Sequence, residues 1–392
     1  MIYRDLCGES VSHLGFGMMR LPCRPDGEID YEETSRMVDT AIQGGVNYFD
    51  TAYSYHGGKS EIVTGEILSH YPRKSYHLAT KYPGHQISAR HDPREVFEHQ
   101  LKKCGVEYFD FYLLHNVFEN SIETYRNPDY GIIRYFEEER RAGRIRHLGF
   151  STHAQPEFLR SFLENEGESM EFCQIQLNYL DWTLQRASEK YDYLTKRGIP
   201  VIVMEPLRGG KLASLPQALR RSQPALSGEE SDAALAFRFL QALPGVKVIL
   251  SGMSAPAQMQ ENLSIFSEAL PLPPAVREAL LAVAEAIKCS IPCTRCGYCR
   301  AGCPAGLDIP ALIQLYNDAK YDPGLTVGMA VDALLPGKRP ADCLGCGACS
   351  AVCPQKIDVP AVMRDFSRIL PTIPSWAAIC RRREEEAKAA KQ

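Results

Sequence analysis

The sequence predicts two domains: an α/β domain built as a closed (β/α)8 TIM barrel, and a smaller helical domain rich in cysteine. Three observations carry this. Short apolar runs alternate with amphipathic stretches through residues 1–272, and strands alternating with helices imply a parallel sheet. Eight such units in about 270 residues fit the size of a TIM barrel. Ten of the fourteen cysteines fall between Cys289 and Cys380, so the C-terminal part differs in composition from the rest.

The elements follow in order. Residues 11–17 form the first barrel strand, preceded by a short cover over the barrel bottom. The later strands are 46–50, 76–81, 108–115, 146–151, 172–177, 200–205 and 246–250. Helix-like stretches lie between them, among them 31–43, 93–103, 130–141, 188–197 and 231–240. A doubly wound open sheet would carry a glycine fingerprint after its first strand, and Gly15-Phe16-Gly17-Met18-Met19-Arg20 lacks the third glycine. The PLPP run at 271–274 marks the boundary between a barrel of residues 1–272 and a second domain of 273–380, which opens on an apolar helix, 275–288. Residues 381–392 read as a charged, solvated tail.

Composition narrows the functional classes. Hydrophobic residues at 45% and charged residues at 23% are those of an ordinary globular chain. A net charge of −4 gives no electrostatic reason to expect nucleic acid or an anionic membrane. No apolar run approaches the roughly 18 residues that span a bilayer. The start MIYRDLCGES lacks a basic segment followed by an apolar core, so a cytoplasmic location is expected. There thiols stay reduced, and a dense group of cysteines points to metal binding or catalysis.

Two copies of one motif, fifty residues apart, give that group its chemistry. Cys293, Cys296, Cys299 and Cys303 form C-x-x-C-x-x-C-x-x-x-C-P, and Cys343, Cys346, Cys349 and Cys353 repeat it. This is the spacing of two-cluster bacterial ferredoxins, in which three cysteines wrap one [4Fe–4S] cluster and the fourth ligates the other. One cluster then takes Cys293, Cys296, Cys299 and Cys353, and the other Cys343, Cys346, Cys349 and Cys303. Structural zinc prefers CxxC pairs across a long gap and suits two runs closed by Cys-Pro poorly. Helix-like runs follow each motif, so the domain resembles the α-helical ferredoxin type of respiratory iron–sulfur subunits. Cys7, Cys23, Cys104, Cys173, Cys289 and Cys380 read as ordinary cysteines.

In the barrel, three consecutive strands end in Asp50, Lys81 and His115, and Tyr55 lies in the loop after the first of these. Strand C-termini converge at the barrel mouth, so four residues distant in sequence would meet there. The segments NYFDTAYSYHGGKSE (47–61), ATKY (79–82), LLH (113–115), GFSTH (149–153), CQIQLNY (173–179) and SGMSAPAQMQENL (251–263) resemble the aldo-keto reductases. Together with the cysteine repeats they resemble the subgroup of that family with a C-terminal ferredoxin-type domain. The resemblance implies a reaction between a small carbonyl compound and an alcohol. Tyr55 would be the general acid, Lys81 and Asp50 its tuning pair, and His115 the orienter of the carbonyl oxygen. An unperturbed tyrosine, with a pKa near 10, is a poor acid at neutral pH, and a nearby ammonium corrects this by favouring the phenolate.

The same resemblance implies NADP(H) or NAD(H). Ser151, Thr152 and Gln174 would hold the nicotinamide amide. Pro206, Leu207, Arg208, Gly210 and Lys211 would form the loop over the pyrophosphate, with Arg208 and Lys211 its cations. Gly252, Ser254, Gln258 and Asn262 would surround the adenosine end. Family members that prefer NADPH carry Lys or Arg where this chain has Gly252 and Gln258. Nicotinamide delivers two electrons together and a cluster passes one, so the resemblance also points to a ferredoxin or flavoprotein electron partner. Two alternatives stand beside this reading: a ferredoxin-fed reductase that uses no NAD(P)H, and a redox-sensing or electron-transfer subunit whose barrel is a scaffold.

Overall fold

A computed structural model describes residues 1–85, 92–119, 121–215, 217–287, 291–321 and 330–373. Cys289, Cys380 and the tail at 381–392 lie outside them. The chain divides into two compact units, Met1–Val283 and Ala284–Gln392. The division falls within the helix Pro274–Ile287, later than the proline break, and Arg277 from its first turns lies over the rings of Trp182 and Phe239 in the first unit.

The first unit opens with an antiparallel hairpin, β1 (Tyr3–Leu6) and β2 (Glu9–Ser12). Eight strands then close a parallel barrel: β3 (Leu14–Gly17), β4 (Tyr48–Asp50), β5 (His77–Tyr82), β6 (Phe109–Leu114), β7 (Ile145–Thr152), β8 (Phe172–Gln176), β9 (Val201–Met204) and β10 (Val246–Ser251), with β10 pairing β3. The run expected as one strand at 11–17 is divided at His13, whose backbone N–H leaves the barrel to bond the Ile2 carbonyl. The hairpin is the expected cover. Its Leu6 and Val11 share one buried cluster with Tyr48, Phe111, Phe172 and Val248 inside the barrel, where burial of apolar surface contributes about 25 cal/mol per Å2.

Helices between the strands begin and end on readable signals. Asp30 caps Tyr31–Gln43 by accepting from the Glu33 N–H at 3.0 Å, and Asp92 caps Pro93–Cys104 in the same way. Gly105 ends the latter at φ +62°, a conformation glycine takes at little cost. Ser60–Leu68, Pro156–Asn165 and Pro256–Ile265 are helices beyond those proposed from sequence. In Ser60–Leu68, Glu61, Thr64 and Gly65 are buried together with Ile67 and Leu68, which erases the amphipathic period.

In the second unit each cysteine motif continues into the same pattern, Leu307-Asp308-Ile309-Pro310-Ala311 and Ile357-Asp358-Val359-Pro360-Ala361. Each aspartate accepts from the alanine N–H three residues on and so starts a helix, Ile309–Tyr321 and Val359–Ile369. These helices pack through Leu312, Ile313, Tyr316, Met363 and Phe366, and Cys293, Cys299, Cys303, Cys343 and Cys353 lie against that core. No helix among the described residues is long and apolar enough to cross a membrane.

Candidate active site

The ends of three neighbouring strands bring the four expected barrel residues together. Asp50 closes β4, Lys81 sits near the end of β5, and His115 follows β6. The Lys81 ammonium donates to Asp50 Oδ1 at 2.5 Å and to the Thr51 carbonyl at 2.7 Å, and both residues of the pair are buried. Burial pushes the Asp50 carboxyl up and the Lys81 ammonium down, and their mutual attraction opposes both shifts. A tight turn after β4, with His56 at φ +50° and Gly57 at φ +64°, returns Tyr55 over this pair. Its ring centroid stands 5.1 Å from Lys81 Nζ and 5.9 Å from the His115 ring, edge to face.

A buried network fixes the strand that carries Lys81. Glu61 accepts from Thr80 Oγ1 and from Gln100 Nε2, each at 2.6 Å, and also pairs with Lys103. Gln100 Nε2 additionally donates to the Lys81 carbonyl at 3.0 Å, while Tyr112 donates to Gln100 Oε1 at 2.5 Å. Every member has a partner, the condition under which a buried polar network rigidifies a site.

Two further imidazoles, passed over in the sequence, occupy the same strand ends. His85 follows β5 and His153 follows β7. The His85 ring centroid lies 4.4 Å from that of His115. Burial, then the neighbouring His85, Lys81 and His153, hold His115 well below the ordinary histidine range. Burial likewise pulls His85 and His153 down to about 4. The mouth is therefore lined by uncharged imidazoles at neutral pH. The signal was available in sequence, since His153 ends GFSTH and His85 follows ATKY by three residues.

The expected dinucleotide residues are placed unevenly. Ser151 and Gln174 face each other in the β7–β8 register. Ser151 Oγ accepts from the Asn116 N–H at 2.8 Å, which leaves its own proton to give. Gln174 Oε1 is buried without a hydrogen-bond partner. The Thr152 hydroxyl is instead engaged with the chain, donating to the Val117 carbonyl at 2.6 Å and accepting from Ala154. In the 206–212 loop, Pro206 and Arg208 are buried, Leu207 accepts the Gly210 and Leu212 N–H groups, and Lys211 follows Gly210 at φ +91°. The Arg208 guanidinium, expected at the pyrophosphate, lies against Asp181, with Nε 3.1 Å from Oδ2. Farther round, Gln258 Oε1 accepts from the Ser254 N–H, and Asn262 donates to Ser251 Oγ.

One cation here was not singled out from sequence. Arg20 packs its stem over Gly252, where an added Cβ would meet it at 3.1 Å, and its guanidinium reaches Glu205 at 3.7 Å. It connects the adenosine-end segment to the start of the 206–212 loop. Nothing in its local sequence distinguishes it from a surface arginine.

In the second unit, Cys303, Cys343, Cys346 and Cys349 line one cavity, walled by Leu307, Ile309 and Val359. This is the four-cysteine set expected to share a cluster across the two motifs. The other set shows its proximity electrostatically: burial, then Cys296, Cys293 and Cys353, push the Cys299 thiol up to about 12. Among the described residues no three His, Cys, Asp or Glu side chains converge tightly enough to hold a single ion. Eight cysteines in two crossed sets of four are the donor set that two [4Fe–4S] clusters take. Backbone N–H groups of Arg295 and Leu307 already point at Cys293 and Cys303 Sγ, each at 3.4 Å.

Comparison with known proteins gives two matches along the chain. Residues 13–283 match the model of the aldo/keto reductase family, and residues 292–357 match that of a 4Fe-4S dicluster domain. A probable aldo-keto reductase of Glycine max is 27% identical over 214 residues, covering 52% of this chain and 58% of that protein. An NADH-specific methylglyoxal reductase of Escherichia coli is 23% identical over 300 residues, covering 65% and 90%. The solved structure of an aldo-keto reductase from Bacillus halodurans in its holo form superposes with a TM-score of 0.60 at 26% identity, covering 73% of this chain and 97% of that one.

Proposed function

Because the chain belongs to the aldo/keto reductase family and carries a 4Fe-4S dicluster domain, we propose that it interconverts a small carbonyl compound and its alcohol at the barrel mouth and exchanges single electrons through two [4Fe–4S] clusters. The observation that carries the barrel chemistry is the approach of Lys81 Nζ to the Tyr55 ring while the same ammonium is held on Asp50. In the reducing direction the Tyr55 hydroxyl gives its proton to the carbonyl oxygen as charge develops there. Lys81 then steadies the phenolate that remains, and Asp50 keeps Lys81 in place. His115, uncharged at neutral pH, donates a hydrogen bond that fixes the carbonyl oxygen. In the oxidising direction the same proton returns to Tyr55.

A nicotinamide dinucleotide, NADP(H) or NAD(H), supplies or takes the hydride when bound. Ser151 and Gln174 would hold its carboxamide, since Gln174 Oε1 is buried and orphaned and the Ser151 proton is free of the chain. Thr152 contributes through its backbone fold only. Around the phosphates, Lys211 and Arg20 are the cations this chain offers, and Arg208 acts as a loop anchor through Asp181. Gly210 belongs to the loop over the pyrophosphate, and Gly252, Ser254, Gln258 and Asn262 shape the adenosine end. The clusters supply one-electron capacity: Cys293, Cys296, Cys299 and Cys353 would hold one, and Cys343, Cys346, Cys349 and Cys303 the other.

A second reading is favoured by the engagement of Arg208 and Thr152 with the chain itself. In it, the two electrons of a carbonyl reduction come from the two clusters and two protons complete the alcohol, with no nicotinamide bound. Anaerobic turnover of a small aldehyde by the reconstituted protein separates the two. Turnover with NADPH or NADH alone supports the first reading. Turnover with reduced ferredoxin alone replaces it with the second.

A further inference from the structure

The two cysteine repeats are alike in sequence but are entered differently. Cys343 follows a short turn, Pro340–Asp342, that closes on itself. There the Arg339 N–H donates to Asp342 Oδ2 at 2.8 Å, and the Cys343 N–H donates to the Pro340 carbonyl at 3.2 Å. The approach to Cys293 is held instead by a side chain 26 residues from the backbone it grips, Asn317 on Ile291. Asn317 Nδ2 donates to the Ile291 carbonyl at 2.8 Å, and its Oδ1 accepts from the Ile291 N–H at 2.7 Å. The same carbonyl accepts the Cys293 N–H at 2.8 Å. One oxygen therefore joins the Asn317 amide to the tight turn that presents Cys293.

Asn317 is an unexpected residue for its place. It lies inside the helix Ile309–Tyr321 and is only 5% exposed. Asparagine is disfavoured within helices because its short polar side chain competes for backbone groups, and burying it unpaired is costly. Both ends of this amide are engaged by the backbone of a single residue, two positions before a ligand. The corresponding place in the second repeat shows what the position does without that task. Asn317 stands fourteen residues after Cys303, and fourteen after Cys353 stands Ser367, whose hydroxyl donates to the Met363 carbonyl of its own helix at 2.8 Å. Among the described residues the clamp belongs to the first repeat.

We propose that Asn317 is a positioning residue for the cluster held by Cys293, Cys296, Cys299 and Cys353. It fixes the Ile291 carbonyl and, through it, the backbone of Cys293, so that this thiolate meets its corner of the cubane. Ligand sets need placement within about 0.5 Å, and hydrogen bonds one step outside the ligands supply it. The two clusters are thereby unequal. The first depends on a contact from a distant helix, and the second on a local turn.

The proposal rests on the reading of two [4Fe–4S] clusters, and its test separates the two. Full-length protein is reconstituted anaerobically, and iron release to an iron(II) chelator is followed by absorbance, with electron paramagnetic resonance of the reduced protein. Wild type should hold about eight iron per chain. Asn317→Asp keeps the acceptor for the Ile291 N–H and turns the donor into an oxygen, while Asn317→Leu removes both. In each, about half of the iron should leave about ten-fold faster or more. The signal lost with it should be the one missing from Cys293→Ala. Ser367→Ala should release iron as wild type does. If Asn317→Leu does not fold, Asn317→Asp decides alone. Unchanged release in the variants overturns the proposal. Equal loss of both clusters, or failure of both variants to fold, makes Asn317 a core residue only and also overturns it. Wild-type protein that holds one cluster or none overturns the two-cluster reading itself, and the proposal with it.

Discussion

Removing either partner of the Asp50–Lys81 pair should damage stability and turnover together, and removing both should restore only stability. The 2.5 Å contact corresponds to about 7 kcal/mol of gross attraction at an effective dielectric constant of about 20. Desolvation of two buried ions cancels much of it. What remains decisive is the penalty for leaving one charge alone, about 3–5 kcal/mol when a buried pair is broken. Asp50→Asn strands the Lys81 ammonium with only the Thr51 carbonyl, and Lys81→Met strands a carboxylate that must take up a proton. Each single variant should lose about 3–5 kcal/mol in urea unfolding followed by far-UV circular dichroism. Each should also lose about 100-fold or more in turnover, because Tyr55 no longer faces a fixed cation. The double variant Asp50→Asn/Lys81→Met buries no charge, so its stability should return to within about 1–2 kcal/mol of wild type while turnover stays low. A double variant that regains turnover would refute the reasoning, because the pair would then serve packing alone.

Other consequences follow from the geometry. Cys303→Ala should lower the iron content and abolish the spectrum of the cluster built mainly from the second motif, read by electron paramagnetic resonance of the reduced protein; loss confined to the first motif's cluster would overturn the crossed ligation. His85 and His153 titrate near 4 in the folded chain against about 6.5 unfolded, so the unfolded state binds more protons below pH 6.5 and stability falls as pH drops from about 6.5 toward 4. At pH 5 the loss is about 2 kcal/mol for each, measurable as a lower urea midpoint than at pH 7, and a flat profile would contradict their burial as neutral rings. Arg20→Ala should weaken dinucleotide binding about ten-fold in a fluorescence titration with little change in kcat, and an unchanged Kd would remove Arg20 from the cofactor site.

What the sequence revealed depended on whether a signal was local. The barrel strands were legible because buried parallel strands are continuous apolar runs, and the tetrad because each member sits at or just past a strand end. The cysteine repeats were legible because cluster ligation is a matter of short spacing. Helix Ser60–Leu68 was obscure because it is buried on more than one face. The orientations of Thr152 and Arg208 were not legible at all. One hydroxyl is taken by a carbonyl 35 residues away, and one guanidinium turns inward to Asp181, 27 residues away, from a backbone held at φ +50°. Arg20 was missed for the same reason, since its meaning comes from Gly252 and Glu205 on distant loops. Residue type at a family position thus says little about the direction of the side chain, which distant partners decide.

In the proposed reaction Tyr55 supplies the proton at the barrel mouth, whichever donor supplies the electrons. The direct measurement is single-turnover reduction of a small aldehyde by anaerobic holoprotein, wild type against Tyr55→Phe, with NAD(P)H and with reduced ferredoxin as separate donors. Phenylalanine keeps the ring against Lys81 and His115 and removes only the hydroxyl. The variant should bind dinucleotide and retain its clusters but reduce the aldehyde slower by a factor of about 100 or more with every donor that drives the wild type. A Tyr55→Phe protein that reduces the aldehyde at the wild-type rate would contradict Tyr55 as the proton donor.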